Sequence, residues 1–402
     1  MKPLLVWVTP GFGMFFGTLL SAWLIKPLGV RKLVPVALYI LLQVFIGIMA
    51  VSIIRFIQGL SCGTVLPVIG SMTANWATLK EQYCFIVFGH LFVQLVPLAC
   101  WPFSSWLLKL EFTLPFIFYA TIAVIFAAVW VLFYRDRPQY HRLVNGLELN
   151  KIVTGKIKAI SNRSVKKKSL GMVISSLPVW AVWISAFSYF VVIALILQYL
   201  PIYCHIILKM EDPTPEIAMA FSLMLIMTLL YPIWIRIARK SGEKMSISLF
   251  NLISFIVIGV AFIFIGLSPK NSVISRGAFI VTLIALVLSF YGFYRSAIFV
   301  GRYYAKYIIS YAENSFAVAF IFVSFLVYFL DNPEGFNEWR VVFITVSLVQ
   351  FITAAVFCIL GSWKPEEWSK QTWNPSVGRR LVSVDQIDFH NEECGFIEMK
   401  II

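Results

Sequence analysis

Charged residues are scarce in this sequence. Only 13% of the 402 residues are Asp, Glu, Lys or Arg, whereas 60% are hydrophobic and the mean hydropathy is +0.86. A soluble domain carries about 25% charged residues, so this composition excludes an ordinary soluble enzyme. The apolar runs are about 20 residues long and lack the alternation of barrel strands. The sequence therefore predicts an all-α, polytopic membrane protein, because in lipid a helix satisfies its own backbone hydrogen bonds.

Motifs for catalysis and metal binding are also missing. The six cysteines form no CxxC pair, and five lie in or beside apolar runs, so we interpret them as small buried side chains rather than a metal site or disulfide framework. The glycines of "GFGMFFG" and "GLSCG" have no following Gly-Lys-Ser, which favours close helix packing over a phosphate loop. Paired catalytic carboxylates and a nucleophile elbow are absent outside the apolar runs. We expect no enzymatic activity, cofactor or metal.

Uncharged runs predict about eleven transmembrane helices. Five come first, near residues 4–25, 33–50, 52–76, 83–108 and 112–134. Six more follow a long polar stretch, near residues 177–208, 214–235, 246–268, 277–300, 307–330 and 341–362. The predicted organisation is an N-terminal membrane half (1–134), a basic cytoplasmic loop (135–176), a C-terminal membrane half (177–362) and a cytoplasmic tail (363–402).

Positive charge in the connections predicts the orientation, since Lys and Arg are retained on the cytoplasmic side. Ten Lys and Arg residues lie between Arg135 and Lys168, four lie in residues 236–244, and the connection at 331–340 is mainly acidic. The N-terminus is therefore predicted on the outer or lumenal side and the C-terminus in the cytoplasm. The net charge of +14 thus fits a membrane surface rather than nucleic acid.

Several segments resemble one transporter family. "RFIQGLSCGTVLPV" (55–68), "YRDRPQYHRLVNGLELNKI" (134–152), "SLPVWAVWISAF" (176–187), "RYYAKYI" (302–308), "GSWKPEEW" (361–368) and "NEECGFIE" (391–398) occur in the order and spacing of that family's motifs. The chain resembles the anion:cation symporters of the major facilitator superfamily, which include vesicular glutamate transporters, sialin and sodium-phosphate cotransporters. The resemblance covers almost the whole chain. Members of the family have two halves of six helices each, whereas this sequence predicts five helices followed by six. We therefore expect the chain to lack the family's first helix.

What the resemblance implies is a two-half helical bundle that carries a small anion across a membrane. The substrate would be of carboxylate or phosphate type, moved by alternating access with a proton or sodium as possible coupling ion. The protein would lie in the lipid bilayer of the plasma membrane or of an intracellular vesicle. The alternative is a degenerate or truncated membrane protein of the same type that does not transport and serves a binding or regulatory role.

Arg55 is the single charge between Leu33 and Leu79. It matches the arginine of the family's fourth helix, which implies a ligand for the substrate anion. The alternative is that its guanidinium only reaches the outer interface. The carboxylate that follows in family members is replaced here by Cys62.

Two further positions are candidates for substrate binding. Tyr189 stands where glutamate and sialate carriers have an arginine, so it can hydrogen-bond a substrate but cannot neutralise it. Arg295, in "RSAIF", is a candidate replacement for the missing cation, or else an anchor at the cytoplasmic end of its helix.

Two further titratable residues in apolar runs are candidates for coupling. Glu313 lies about two turns into the predicted helix 307–330, which is the tenth in this chain. A carboxylate there costs about 2.5–3.5 kcal/mol at mid-helix, so it should be protonated, face water or have a partner, for which Lys306 is the local candidate. His90 lies one turn before Gln94 in the predicted helix 83–108, which is the fourth in this chain. It is either a proton relay or a packed, hydrogen-bonded side chain.

Overall fold

The computed structural model describes residues 6–21, 47–154, 171–268, 272–329 and 335–370, and its regular structure in these ranges is helical. The N-terminal helices are α1 (Val6–Ser21), α2 (Gly47–Val65), α3 (Val68–Trp76), α4 (Gln82–Gly89), α5 (Phe92–Leu95), α6 (Trp101–Leu110) and α7 (Leu114–Phe133). A short helix α8 (Gly146–Val153) follows. The C-terminal helices are α9 (Leu177–Ile206), α10 (Thr214–Leu229), α11 (Tyr231–Ser241), α12 (Glu243–Leu267), α13 (Ser272–Gly301), α14 (Ala305–Tyr328), α15 (Phe336–Leu360) and α16 (Glu367–Lys370).

Most of the described helices lie within the predicted spans, but α2 begins at Gly47 and continues through the predicted end of the span 33–50. Within the described residues, eight helical spans are long and apolar enough to cross a membrane, where α2 with α3 and α4 to α6 each count as one span. The bent pair α10 and α11 makes a ninth. Helix α1 is apolar but only 16 residues long. The predicted span 33–50 lies mostly outside the described residues. The all-α membrane fold is thus confirmed, while the boundaries of the two halves, the loop and the tail remain predictions.

Prolines mark where the spans break. Pro67 separates α2 from α3, and Pro97 lies in a π-helical turn, Val96–Cys100, between α5 and α6. Pro232 follows the 48° bend between α10 and α11. Proline lacks an N–H and clashes with the preceding turn, and breaks of this kind are tolerated in membranes where neighbouring helices satisfy the freed carbonyls.

Glycines allow α1 and α2 to touch through their backbones. A Cβ on Gly13 would lie 2.0 Å from the carbonyl oxygen of Phe56, and a Cβ on Gly59 would lie 2.0 Å from that of Pro10. Gly17 and Gly63 meet the opposite helix at 2.1 Å in the same way. The predicted packing role of these glycines is therefore confirmed.

Some helices are buried within the bundle, whereas others expose apolar side chains that can contact lipid. Helix α9 is buried along most of its length against α13, α14 and α15. Helix α7 is apolar on all sides, and its most apolar stretch has no buried residue. Apolar residues need no protein cover in lipid, and this explains why Cys62 and Cys358 are exposed although we predicted burial.

The predicted loop 135–176 contains structure that its charge did not indicate. Helix α8 begins after Asn145, whose side chain accepts a 2.9 Å hydrogen bond from the backbone N–H of Glu148. The chain before it is held to α3, because Trp76 Nε1 donates to the carbonyl of Arg135 at 3.2 Å. The start of this loop is thus an ordered extension of the bundle.

Candidate functional site: a cavity and a buried proton cluster

A cavity lies between the N-terminal helices α4 and α5 and the C-terminal helices α9, α10, α11 and α13. The space between its lining residues is about 350 Å³, and part of that space is open solvent. Its wall combines aromatic rings with a few polar groups: Tyr83, Val87, His90, Gln94, Tyr189, Met224, Thr228, Tyr231, Trp234, Val287 and Phe290. A site between the two sets of helices is where a transporter built of two halves binds its cargo.

Gln94 provides an open hydrogen-bond acceptor in this wall. Its Nε2 donates to Thr228 Oγ1 at 2.8 Å, and Thr228 in turn donates to the carbonyl of Met224. Its Oε1 is buried without a partner among the described residues. A buried carbonyl oxygen usually has a donor from protein or water, so Gln94 can accept a hydrogen bond from a ligand or water in the cavity.

His90 lies where the span of α4 to α6 is broken. The helix α4 ends at Gly89, and the carbonyl of Ile86 accepts hydrogen bonds from the backbone N–H of His90 and from its ring Nδ1, at 3.2 and 2.8 Å. The His90 side chain is 4% exposed. The break thus fixes the ring through its Nδ1, so that Nε2 points away from α4.

Glu313 of α14 meets that Nε2. The distance from His90 Nε2 to Glu313 Oε2 is 3.0 Å, and Glu313 is fully buried. Tyr294 of α13 donates to the other carboxylate oxygen, Oε1, at 2.5 Å and lies 3.2 Å from His90 Nε2. His90, Glu313 and Tyr294 therefore form one buried hydrogen-bonded cluster, which we call the proton cluster.

The two predicted coupling candidates, His90 and Glu313, are thus in contact with each other. The partner of Glu313 differs from the one expected from the sequence. Glu313 is bonded to His90 and Tyr294, whereas the Lys306 ammonium lies over the ring of Tyr307, 5.1 Å from its centroid. The alternative of a Glu313–Lys306 ion pair is wrong. Sequence reasoning missed Tyr294, because no local pattern distinguishes it from Tyr291, the other tyrosine of α13.

The predicted substrate-binding residues lie at different distances from the cavity. Tyr189 is 2% exposed and lines it. Arg295 is 9% exposed, and its guanidinium lies over the rings of Tyr291 and Phe299, at 5.1 and 5.4 Å. The Tyr291 ring packs at 5.2 Å on that of Tyr83, which lines the cavity. Arg295 is therefore a cation stacked behind the aromatic wall.

Arg55 lies apart from the described cavity wall. It is on an exposed part of α2, two turns before the exposed Cys62 on the same face. His205, at the end of α9, lies with its ring Nδ1 3.0 Å from the carbonyl oxygen of Met210. Among the described residues, no group of three or more His, Cys, Asp or Glu side chains could hold a metal.

Outside the membrane-spanning segments, one carboxylate is held in its charged form. Asp212 precedes α10 and accepts hydrogen bonds from the hydroxyl of Thr214 and from its backbone N–H. These bonds lower the pKa of Asp212, because they favour the carboxylate over the acid. This contact belongs to the start of α10 and lies away from the cavity.

Proteins similar to the chain include sialin and a sodium-dependent phosphate transport protein. Human sialin is 26% identical over 167 residues, which is 41% of this chain but only 33% of sialin. Sodium-dependent phosphate transport protein 3 of Mus musculus is 23% identical over 395 residues, covering 90% of this chain and 78% of that protein.

Solved structures with the same fold are also transporters. A crystal structure of a D-xylose-proton symporter matches with a TM-score of 0.62 and 14% identity, over 90% of this chain and 88% of the symporter. The inward-open xylose transporter XylE from E. coli matches with a TM-score of 0.57 and 16% identity, over 89% and 86%. At these identities the likeness concerns the fold alone.

The family model for the Major Facilitator Superfamily matches residues 5–306, well over half of the 402 residues. The predicted two-half bundle agrees with this match and with the transporter structures. The chain therefore belongs to the Major Facilitator Superfamily.

Proposed function

We propose that this protein is a secondary active transporter of a small organic or inorganic anion, of carboxylate or phosphate type, that works by alternating access. The observation that carries the proposal is the cavity between α4 and α5 on one side and α9, α10, α11 and α13 on the other. A solute in that cavity touches both halves of the bundle. Relative movement of the halves then opens the same site to each side of the membrane in turn.

The anionic nature of the substrate is supported by two arguments. Sialin and the sodium-dependent phosphate transport protein are relatives detected by sequence. Arg295 also places a positive charge behind the aromatic wall, and a buried cation lowers the cost of bringing an anion into a low-dielectric site. Arg55 remains a proposed ligand for the substrate anion in another state of the transport cycle. Tyr189 is proposed to form a hydrogen bond with the substrate.

The coupling ion is proposed to be a proton or sodium, with His90 and Glu313 as the coupling residues. The membrane is proposed to be the plasma membrane or that of an intracellular vesicle. The orientation follows the charge of the loops, with the N-terminus outside and the C-terminus in the cytoplasm.

Uptake into proteoliposomes tests the proposal. The purified protein is reconstituted, and uptake of labelled phosphate, glutamate, sialate and urate is measured under a proton gradient, a sodium gradient or a membrane potential. We expect uptake of at least one of them, reduced at least tenfold in Arg55→Ala and in Arg295→Met. The matched control is Arg276→Ala, an arginine that pairs with Glu216 at 2.8 Å outside the cavity. Folded protein that moves none of these anions under any gradient would instead support the non-transporting alternative.

A single-cysteine experiment tests the orientation. In a cysteine-free background, a cysteine at Glu211 should react with an impermeant maleimide added to intact cells. A cysteine at Lys240 should react only after permeabilisation. Glu211 lies in the loop before α10 and Lys240 near the end of α11, and both are exposed. The opposite labelling pattern would overturn the proposed orientation.

A further inference from the structure

The proton cluster joins the two halves of the bundle at one buried point. His90 follows α4, whereas Glu313 lies on α14, 223 positions later in the chain. The carboxylate has a partner on each oxygen, His90 on Oε2 and Tyr294 on Oε1. Both residues of the cross-half contact are almost completely buried, so this contact is shielded from bulk water.

The number of protons in this cluster follows from the hydrogen bonds. The carbonyl of Ile86 can only accept, so His90 Nδ1, 2.8 Å away, carries a proton. The contact of 3.0 Å between Nε2 and Oε2 needs a second hydrogen between the two atoms. That hydrogen belongs either to an imidazolium facing a carboxylate or to a carboxylic acid facing a neutral imidazole. In both forms the pair holds one proton that it can release.

Removal of this proton leaves one hydrogen for the two ring nitrogens of His90. On Nδ1, this hydrogen leaves the lone pair of Nε2 facing a carboxylate oxygen, and on Nε2 it leaves the lone pair of Nδ1 facing the carbonyl of Ile86. Tyr294 still donates to Oε1 and keeps the carboxylate hydrogen-bonded, but His90 loses one of its two ring hydrogen bonds, so its link from α4 to α14 is weakened. The remaining negative charge is costly in a buried site, which favours an arrangement that admits water.

We propose that His90 and Glu313 together bind a single proton that holds the two halves in the described arrangement, and that release of this proton frees α4 from α14. This proposal rests on the proposed transport function, because it names the residues through which a proton controls the movement of the two halves. His90 lines the cavity and is therefore the member that exchanges the proton with it. Tyr294 acts as a positioning residue that stabilises the carboxylate after the proton has left.

The charged and titratable groups around the pair are consistent with one exchangeable proton. Tyr189 of α9 is within electrostatic range of Glu313 and Tyr294. Tyr83 of α4 neighbours Tyr189, Tyr291 and Arg295. The tyrosines stay protonated near neutral pH and arginine keeps its charge. The His90–Glu313 pair is therefore the group here whose proton count is free to change.

The distance between the halves as a function of pH tests the proposal without a substrate. In a cysteine-free, full-length protein in lipid nanodiscs, spin labels are attached to cysteines at Lys80, just before α4, and Lys240, near the end of α11. Pulsed electron resonance then records the distance distribution from pH 5 to 9. We expect one distance at low pH and a second population that grows with pH. A wild-type distribution that does not change with pH would overturn the proposal.

Two variants assign that change to the proton cluster. Glu313→Gln replaces the carboxyl by an amide whose N–H can donate to the neutral imidazole, so the low-pH distance should persist to pH 9. Tyr294→Phe removes the donor to the carboxylate, so the pair holds its proton more tightly and the midpoint should move to higher pH by about one unit. If Glu313→Gln titrates like the wild type, or if Tyr294→Phe leaves the midpoint unchanged, the proposal is wrong.

A control on the same helix separates proton binding from ordinary packing. Ser310 of α14 donates a 2.9 Å hydrogen bond across the halves to the carbonyl of Pro67, without a titratable group. Ser310→Ala should keep the wild-type midpoint. If Glu313→Gln does not fold, the shift of the pH midpoint in Tyr294→Phe still tests the proposal. The uptake assay is independent of this experiment: a pH-dependent distance without anion uptake refutes the transport function alone, and uptake with a pH-independent distance refutes the proton link alone.

Discussion

Gln94 Nε2 donates a 2.8 Å hydrogen bond to Thr228 Oγ1, and this bond crosses the wall of the cavity from α5 to α10. The two residues are 134 positions apart, and both are buried. The bond orients the amide so that Oε1 is the atom left without a protein partner among the described residues. Gln94 therefore connects α5 to α10 and also presents a hydrogen-bond acceptor to the cavity.

Thr228→Val should destabilise the protein more when Gln94 is present than when Gln94 has already been replaced by Leu. The single change leaves a buried amide N–H without an acceptor, which costs about 1–3 kcal/mol, whereas removing both partners is closer to neutral. Thermal unfolding in detergent of the wild type, both single variants and the double variant forms a double-mutant cycle. Strictly additive losses would mean that the hydrogen bond contributes nothing.

Gly59→Ala should prevent close contact between α1 and α2. The new Cβ would lie 2.0 Å from the carbonyl oxygen of Pro10, an atom of the backbone that cannot rotate away. We expect a loss of at least about 3 kcal/mol, the upper end of ordinary overpacking. The apparent unfolding temperature in detergent measures this loss.

Gly277→Ala in α13 is the matched control, since a Cβ at this position would have no other side chain or backbone within 4 Å among the described residues. It should be neutral or stabilise the helix by up to about 1 kcal/mol. Equal unfolding temperatures for the Gly59 and Gly277 variants would contradict the close packing of α1 on α2.

Arg276→Ala should change the stability by at most about 1 kcal/mol. Its guanidinium pairs with Glu216 at 2.8 Å, but the two side chains are 39% and 40% exposed. Water and salt therefore screen the pair. Unfolding at low and high NaCl concentration checks this, and a loss of several kcal/mol would mean that the pair is buried in the membrane-bound protein.

Asp212→Asn should remove an acid-sensitive contribution to stability. Hydrogen bonds from Thr214 lower the pKa of Asp212 in the folded protein. Its stabilisation is therefore complete above the ordinary aspartate pKa of about 3.9, and it is lost as the pH falls through the lower folded value. Unfolding temperatures, followed from neutral pH down to below that value, should decline less steeply in the variant. An unchanged slope would show that the loop before α10 does not respond to Asp212.

The membrane class and the position of most spans were predictable because lipid imposes a local requirement. A helix must be apolar over about 20 residues whatever its neighbours are, and this places α7, α9 and α12 to α15 directly. The N-x-x-E pattern at Asn145 and Glu148 would also have predicted α8, since it is a capping signal. The resemblance to the family rested on motif order and needed no tertiary information.

The sequence by itself determined that the chain lies in a membrane, where its helices run, and which buried residues needed an explanation. Only the tertiary structure decided how those residues meet. Glu313 has a plausible local partner in Lys306, yet its partners are His90, 223 positions away, and Tyr294. The reason is physical: apolar length and charge act locally along the chain, whereas the contact between α4, α13 and α14 depends on how whole helices pack against each other.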